Sequence, residues 1–155
     1  MTISASNIEI QSVHSIPKTI SSKLIKNAIL TAYQESSRVY DFIISVNIRI
    51  VGINEGTELN KRFKKKNTPT NVLAFMGNPN MENDLGIEAP SLGDIVVCYP
   101  VVEEESDILK KTVEVHFIHM IIHGFLHLMG YDHQNDHEEH EMNELTNKVL
   151  ELVMS

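Results

Sequence analysis

The stretch His123-Gly124-Phe125-Leu126-His127-Leu128-Met129-Gly130-Tyr131-Asp132-His133 sets three imidazoles in the spacing H-x3-H-x5-H. Two histidines four residues apart on a helix project from one face, one turn above the other, near enough to share an ion. His119 precedes His127 by eight residues. That is roughly 12 Å along a helix axis, too far for both to hold one ion. A third ligand therefore requires the chain to leave the helix and fold back. Gly130 is placed for that turn, because glycine just past a helix end takes the left-handed conformation that other residues resist. His133 then returns from the loop. Three neutral imidazoles leave a fourth tetrahedral position for water, the arrangement of a catalytic zinc site and not of a closed structural one.

Outward from these residues, the chain predicts one long helix over residues 107–129. Ile108, Leu109, Val113, Val115, Phe117, Ile118, Met120, Ile121, Ile122, Phe125, Leu126, Leu128 and Met129 make it apolar almost all round. Such a helix is buried, and a buried imidazole needs a partner. Seven of the eight histidines fall between residues 116 and 140. His119 either lines the site or is a satisfied core histidine, while His137 and His140 belong to a solvated helix start. The spacing H-x-x-x-H-x-x-G-x-x-H also matches the metzincin peptidase signature except at Gly124, where those enzymes carry the glutamate that takes the proton from the zinc-bound water. Loss of a general base costs about 10²–10⁴ in rate, which makes peptide hydrolysis the second choice.

The rest of the chain alternates strand and helix. Residues 8–13 alternate apolar and polar side chains and read as a first strand. A helix opens at Pro17, with Leu24, Ile25, Ala28, Ile29 and Ala32 on one face, and fades near Ser36. Ile44, Val46, Ile48 and Ile50 mark a strand over residues 43–51. A short helix covers residues 55–64, a third strand residues 70–75, a polar loop residues 76–91, and a fourth strand residues 95–99. A last helix over residues 137–153 places Met142, Leu145, Val149 and Leu152 on one face. This order predicts an α+β protein, an α/β sandwich on a mixed sheet of about four strands. At 155 residues, 42% of them hydrophobic, the chain suits one domain spanning 1–155.

Charge and cysteine use narrow the class. No stretch is apolar enough to span a membrane, the first ten residues lack a secretory pattern, and the single Cys98 can form no internal disulfide. A cytoplasmic protein is expected, with Cys98 as a small core residue. The net charge is −8, yet residues 61–66 hold five of the thirteen cationic residues. An aromatic, Phe63, stands among them. One basic patch on an acidic body fits a phosphate-bearing partner only if the patch lies beside the metal; otherwise it is a solvated face. Such a body binds an arbitrary polyanion weakly, so productive targeting would depend on a further partner.

The run from His123 to His133, with Leu59-Asn60, Phe63, Pro69-Thr70-Asn71-Val72-Leu73-Ala74-Phe75 and Leu92-Gly93-Asp94-Ile95, closely resembles the motifs of the YbeY family of metal-dependent endoribonucleases (UPF0054-type, 16S rRNA maturation factors). The resemblance covers about residues 40–155. It implies a zincin-like α+β domain with its histidine helix and one zinc ion per chain held by His123, His127 and His133. It also implies cleavage of single-stranded RNA, action in 16S rRNA 3′-end maturation and ribosome quality control, and ribosome or small-subunit partners. The family usually has arginine directly after the aromatic at Phe63, where this chain has Lys64. That role falls to Lys64, or is shared with Arg62, beside His123. Arginine grips phosphate with a planar fork and lysine with a point charge.

The expected chemistry is metal-assisted phosphodiester hydrolysis, with Lys64 and Arg62 offsetting charge on the phosphate. Asp132 and Asp94 are candidates to hold a ligand imidazole by its second nitrogen. The competing readings are a metzincin-like metallopeptidase and a non-catalytic ribosome-assembly factor with a structural metal. Trisimidazole sites also suit other first-row metals.

Overall fold

The computed structural model describes residues 2–155. Ten elements follow a short 3₁₀ turn at Ala5–Asn7: strand β1 (Ile8–Ser12), helix α1 (Ser22–Glu35), β2 (Ser45–Val51), α2 (Ile53–Lys64), β3 (Val72–Met76), α3 (Pro79–Asp84), β4 (Ser91–Cys98), α4 (Tyr99–Leu109), α5 (Val113–Leu128) and α6 (Asp136–Met154). The strands form one mixed sheet in the order β1-β2-β4-β3. β1 and β4 run parallel to β2, and β3 runs antiparallel to β4 as an edge strand. The protein is therefore α+β, with six α-helices and a four-stranded sheet among the described residues.

Strand periodicity divides the core. Val46, Ile48 and Ile50 of β2, with Ile95 and Val97 of β4, point to one face and pack with Ile25, Ala28 and Ile29 of α1 and Phe117, Ile121 and Phe125 of α5. The intervening Val51, Leu73, Val96 and Cys98 form a smaller cluster on the other face, against Leu59 of α2 and Val101 of α4. Cys98 is a buried free thiol, as its apolar context implies. α1 begins at Ser22 and not at Pro17, because the Ser21 hydroxyl accepts the Leu24 N–H at 3.1 Å and caps the first turn.

Three further sequence expectations are corrected. The continuous helix over residues 107–129 is two helices. Lys110 turns left-handed with φ 56°, and Thr112 caps a new helix by accepting the Val115 N–H at 3.2 Å. Ile108 and Leu109, counted toward a buried stripe, are 71% and 51% exposed at the end of α4. The fourth strand begins at Ser91, four residues earlier than expected, and Tyr99 already belongs to α4, where Pro100 occupies the first turn. α3 also interrupts the expected loop over residues 76–91. No helix among the described residues is long and apolar enough to cross a membrane.

Candidate metal centre

α5 is buried on most of its surface, and His123 and His127 are half-buried one turn apart on the side facing β3. The helix ends in a Schellman arrangement. Gly130 has φ 95°, its N–H reaches the His127 carbonyl at 3.0 Å, and the Tyr131 N–H reaches the Leu126 carbonyl at 3.0 Å. This reversal returns His133 to the helix face. Ring centroids lie 4.7 Å apart for His123 and His127, 5.2 Å for His127 and His133, and 6.2 Å for His123 and His133. The donor atoms of His127, Asp132 and His133 all lie within 4.8 Å of one another. Asp132 Oδ1 accepts the His133 backbone N–H at 2.8 Å.

The His123–His127 pair has the spacing of two ligands on one tetrahedral ion, whereas the trio of donors that all lie within 4.8 Å of one another takes in Asp132 and not His123. The Nε2 atoms of His123 and His127 are 3.2 Å apart. Two nitrogens at ~2.0–2.1 Å from one zinc, at a tetrahedral angle, are separated by about 3.3 Å. The rings are also held in the neutral, ligating form. Burial, helped by the neighbouring His127, His119 and His133, pushes the His123 imidazole down to about 4, and burial likewise lowers His127.

These residues line an open cleft of about 450 Å³, together with Lys64, Asn71, Val72 and Ala74. Lys64 ends α2 and enters this cleft. Arg62 is not among the residues lining it, and its guanidinium lies 6.0 Å from the Phe63 ring. Asp94 lies on the other face of the sheet, in a larger cavity of about 680 Å³ with Glu9, Asn47, Arg49 and Phe63. It cannot orient a ligand imidazole, because β4 alternation sends Ile95, not Asp94, toward α5. That larger cavity is lined by no histidine, whereas His123, His127 and His133 all line the smaller cleft.

Other residues of the site were not singled out by spacing. Asn71 donates to both Glu105 carboxylate oxygens, at 3.1 and 3.3 Å, and Glu105 also meets the buried His116 Nε2 at 2.8 Å. That network ties the start of β3 to α4 and α5. The Asn-Val-Leu run is its only trace in sequence. His119 keeps a buried Nδ1 without a partner and does not line the cleft.

Comparison with known proteins shows the family. A family model described as "Endoribonuclease YbeY" matches residues 7–154. The chain belongs to the YbeY family. Relatives bearing that same description include one from Pseudomonas savastanoi pv. phaseolicola, 47% identical over 106 residues, covering 68% of this chain and 62% of the relative. Another, from Coxiella burnetii, is 43% identical over 106 residues, covering 68% of this chain and 67% of the relative. The matched stretch thus spans about two thirds of the length of these YbeY relatives. The solution structure of a Thermotoga maritima protein superposes with a TM-score of 0.64 at 30% identity, covering 94% of this chain and 88% of that one.

Gly124 distinguishes the YbeY cleft here from a peptidase site. A Cβ at this position would stand 3.0 Å from Ile95 Cγ2 and 3.2 Å from Val72 Cγ2. The helix packs on the sheet closely enough that a side chain in the position of the metallopeptidase glutamate would have to displace Ile95 and Val72.

Proposed function

We propose that this chain is a zinc-dependent endoribonuclease that hydrolyses single-stranded RNA, acting in 16S rRNA 3′-end maturation and ribosome quality control. The reading places it in the cytoplasm, working with the ribosome or small-subunit proteins, with the activity in one domain over residues 1–155. The observation that carries it is a single open cleft holding three imidazoles, a lysine and an edge strand. His123, His127 and His133 would hold the ion. When bound, zinc lowers the pKa of a coordinated water to about 7 and polarises a phosphoryl oxygen.

The protein's own groups do the rest. His123 and His127 stay neutral near pH 7 because of their burial, so proton competition for their nitrogens is weak. Asp132 accepts the His133 N–H and so fixes the loop that carries this ligand. Lys64 offsets charge that builds on the phosphate oxygens in the transition state. The outer edge of β3 pairs with no other strand among the described residues, leaving backbone groups free to guide an extended, unpaired strand. A paired A-form helix would offer no such strand.

The test pairs elemental analysis of the purified protein with cleavage of a single-stranded oligoribonucleotide, with and without chelator. About one zinc per chain and chelator-sensitive RNA cleavage are expected, with no hydrolysis of casein. RNA cleavage that survives complete metal removal would overturn the reading, and so would chelator-sensitive casein hydrolysis without nuclease activity.

A further inference from the structure

The metal loop, residues 130–133, is clasped from outside by residues 36–38. The Tyr131 hydroxyl meets Ser36 Oγ at 3.3 Å and Ser37 Oγ at 3.4 Å, and it accepts the Ser37 N–H at 3.3 Å. The chain then folds back. The Arg38 guanidinium carbon lies 3.9 Å from the centroid of the Tyr131 ring. Its Nη1 sits 3.0 Å from where a Cβ on Gly130 would be. Gly130 and Tyr131 both line the metal cleft. The missing side chain at Gly130 therefore serves twice: it allows the positive φ, and it lets a guanidinium rest on the backbone of the metal loop.

The charge on this guanidinium is largely unspent. Its side chain is 44% exposed, and its Nη2 stands 3.7 Å from Glu141 Oε1, a long contact between two solvated groups. Arg49, by comparison, is bound bidentate by Glu55 on the other face of the sheet. The Arg38 guanidinium lies over the Tyr131 ring, and the Arg38 backbone N–H bonded to Ser36 Oγ at 3.0 Å fixes its backbone. A guanidinium so held loses little conformational freedom when it binds an anion. Arg38 does not itself line the cleft but touches Gly130 and Tyr131, which do; the carboxylates nearby are Asp132 in the cleft and Glu35, Glu141 and Glu144 around the cavity on the other side of Tyr131.

We infer that Arg38 is a second phosphate-binding residue for the RNA. It would hold a backbone phosphate on the metal-loop side, while Lys64 serves the phosphate at the cleft from the α2 side. The inference rests on the nuclease reading above and adds a substrate contact to it. Its ligand class is the RNA phosphodiester, without base selectivity. It would add a cation beside the metal loop to the one that Lys64 brings to the cleft.

Steady-state cleavage of a single-stranded oligoribonucleotide by the metal-loaded protein, between 50 and 200 mM salt, tests this. Arg38→Gln should raise KM about threefold to tenfold, the span of a partly exposed charge contact. Its kcat and metal content should hold. The slope of log kcat/KM against log salt should become shallower by about 0.7, the loss of one phosphate contact to a single strand. Arg38→Lys should keep the slope, and Lys26→Gln on α1 controls for bulk charge. Should Arg38→Gln not fold, Glu141→Gln, which frees the guanidinium, must lower KM more than Glu144→Gln does. An unchanged KM and slope in Arg38→Gln overturns the inference, as does a loss shared equally by Arg38→Lys and traced to metal content. Absence of RNA cleavage by the parent protein would instead sink the nuclease reading and this inference with it.

Discussion

His127 stands at the junction of the site. Its Nε2 lies 3.2 Å from that of His123, and its donor groups with Asp132 and His133. His127→Ala should therefore lose most bound metal while circular dichroism stays unchanged, because the apolar side of α5 packs without the ion. Full metal occupancy of that variant would sink the ligand assignment. Lys64 lines the cleft, whereas its neighbour Lys61 does not. Lys64→Ala should slow RNA cleavage by about 10²–10³, the cost of losing a transition-state donor, with Lys61→Ala losing less than tenfold. Equal small losses in both would assign position 64 to a solvated face. At this scale the sequence was most legible where spacing alone constrains geometry, as in H-x3-H and the glycine turn. It was opaque where facing depends on strand parity. Asp94 sits beside core residues in sequence yet faces away from the histidine cleft. Arg38 is 92 residues before Gly130 and carries no local signal of contacting it.

At the scale of elements, the strands and helices were largely readable from apolar period, and the errors fall at boundaries decided by single residues. The break between α4 and α5 needed no glycine or proline. It is made by Lys110 in a left-handed conformation and by the Thr112 cap. An apolar period running through it concealed the break, since Ile108 and Leu109 continue the pattern but end in solvent. Thr112→Ala should lower stability by about 1 kcal/mol in denaturant unfolding, the usual value of such a cap. No change would mean the break is held by tertiary packing alone. Gly124→Ala probes the close approach of α5 to the sheet. Its Cβ would meet Ile95 Cγ2 at 3.0 Å. Overpacking of this kind costs about 1–3 kcal/mol. Because β3 also forms the cleft wall, the variant should lose nuclease activity beyond its loss of stability, measured below its melting range.

The molecule as a whole carries a net charge of −8, with five of its thirteen cationic residues in residues 61–66 and the His123 and His127 imidazoles held neutral by burial. Bulk charge and site charge thus respond to pH for different reasons. In the metal-free protein the folded His123 imidazole titrates at about 4, below its ordinary value of 6.5, chiefly because burial disfavours the cation. The unfolded chain then binds a proton more readily than the folded one. Folding is favoured fully above about pH 6.5, and that contribution is lost as pH falls from about 6.5 toward 4. His127, lowered by burial as well, acts in the same direction. Chelated protein should remain folded at pH 7.5 and melt at progressively lower temperature down to pH 4. His123→Asn should flatten that dependence, since it removes the group with the larger shift. In the loaded protein coordination also needs the neutral ring, so zinc should be retained, and RNA cleavage sustained, to lower pH than a free imidazole would allow. Melting temperatures of the chelated protein that do not change between pH 7.5 and 4 would show that the ligand face of α5 is hydrated, and not desolvated as its burial implies.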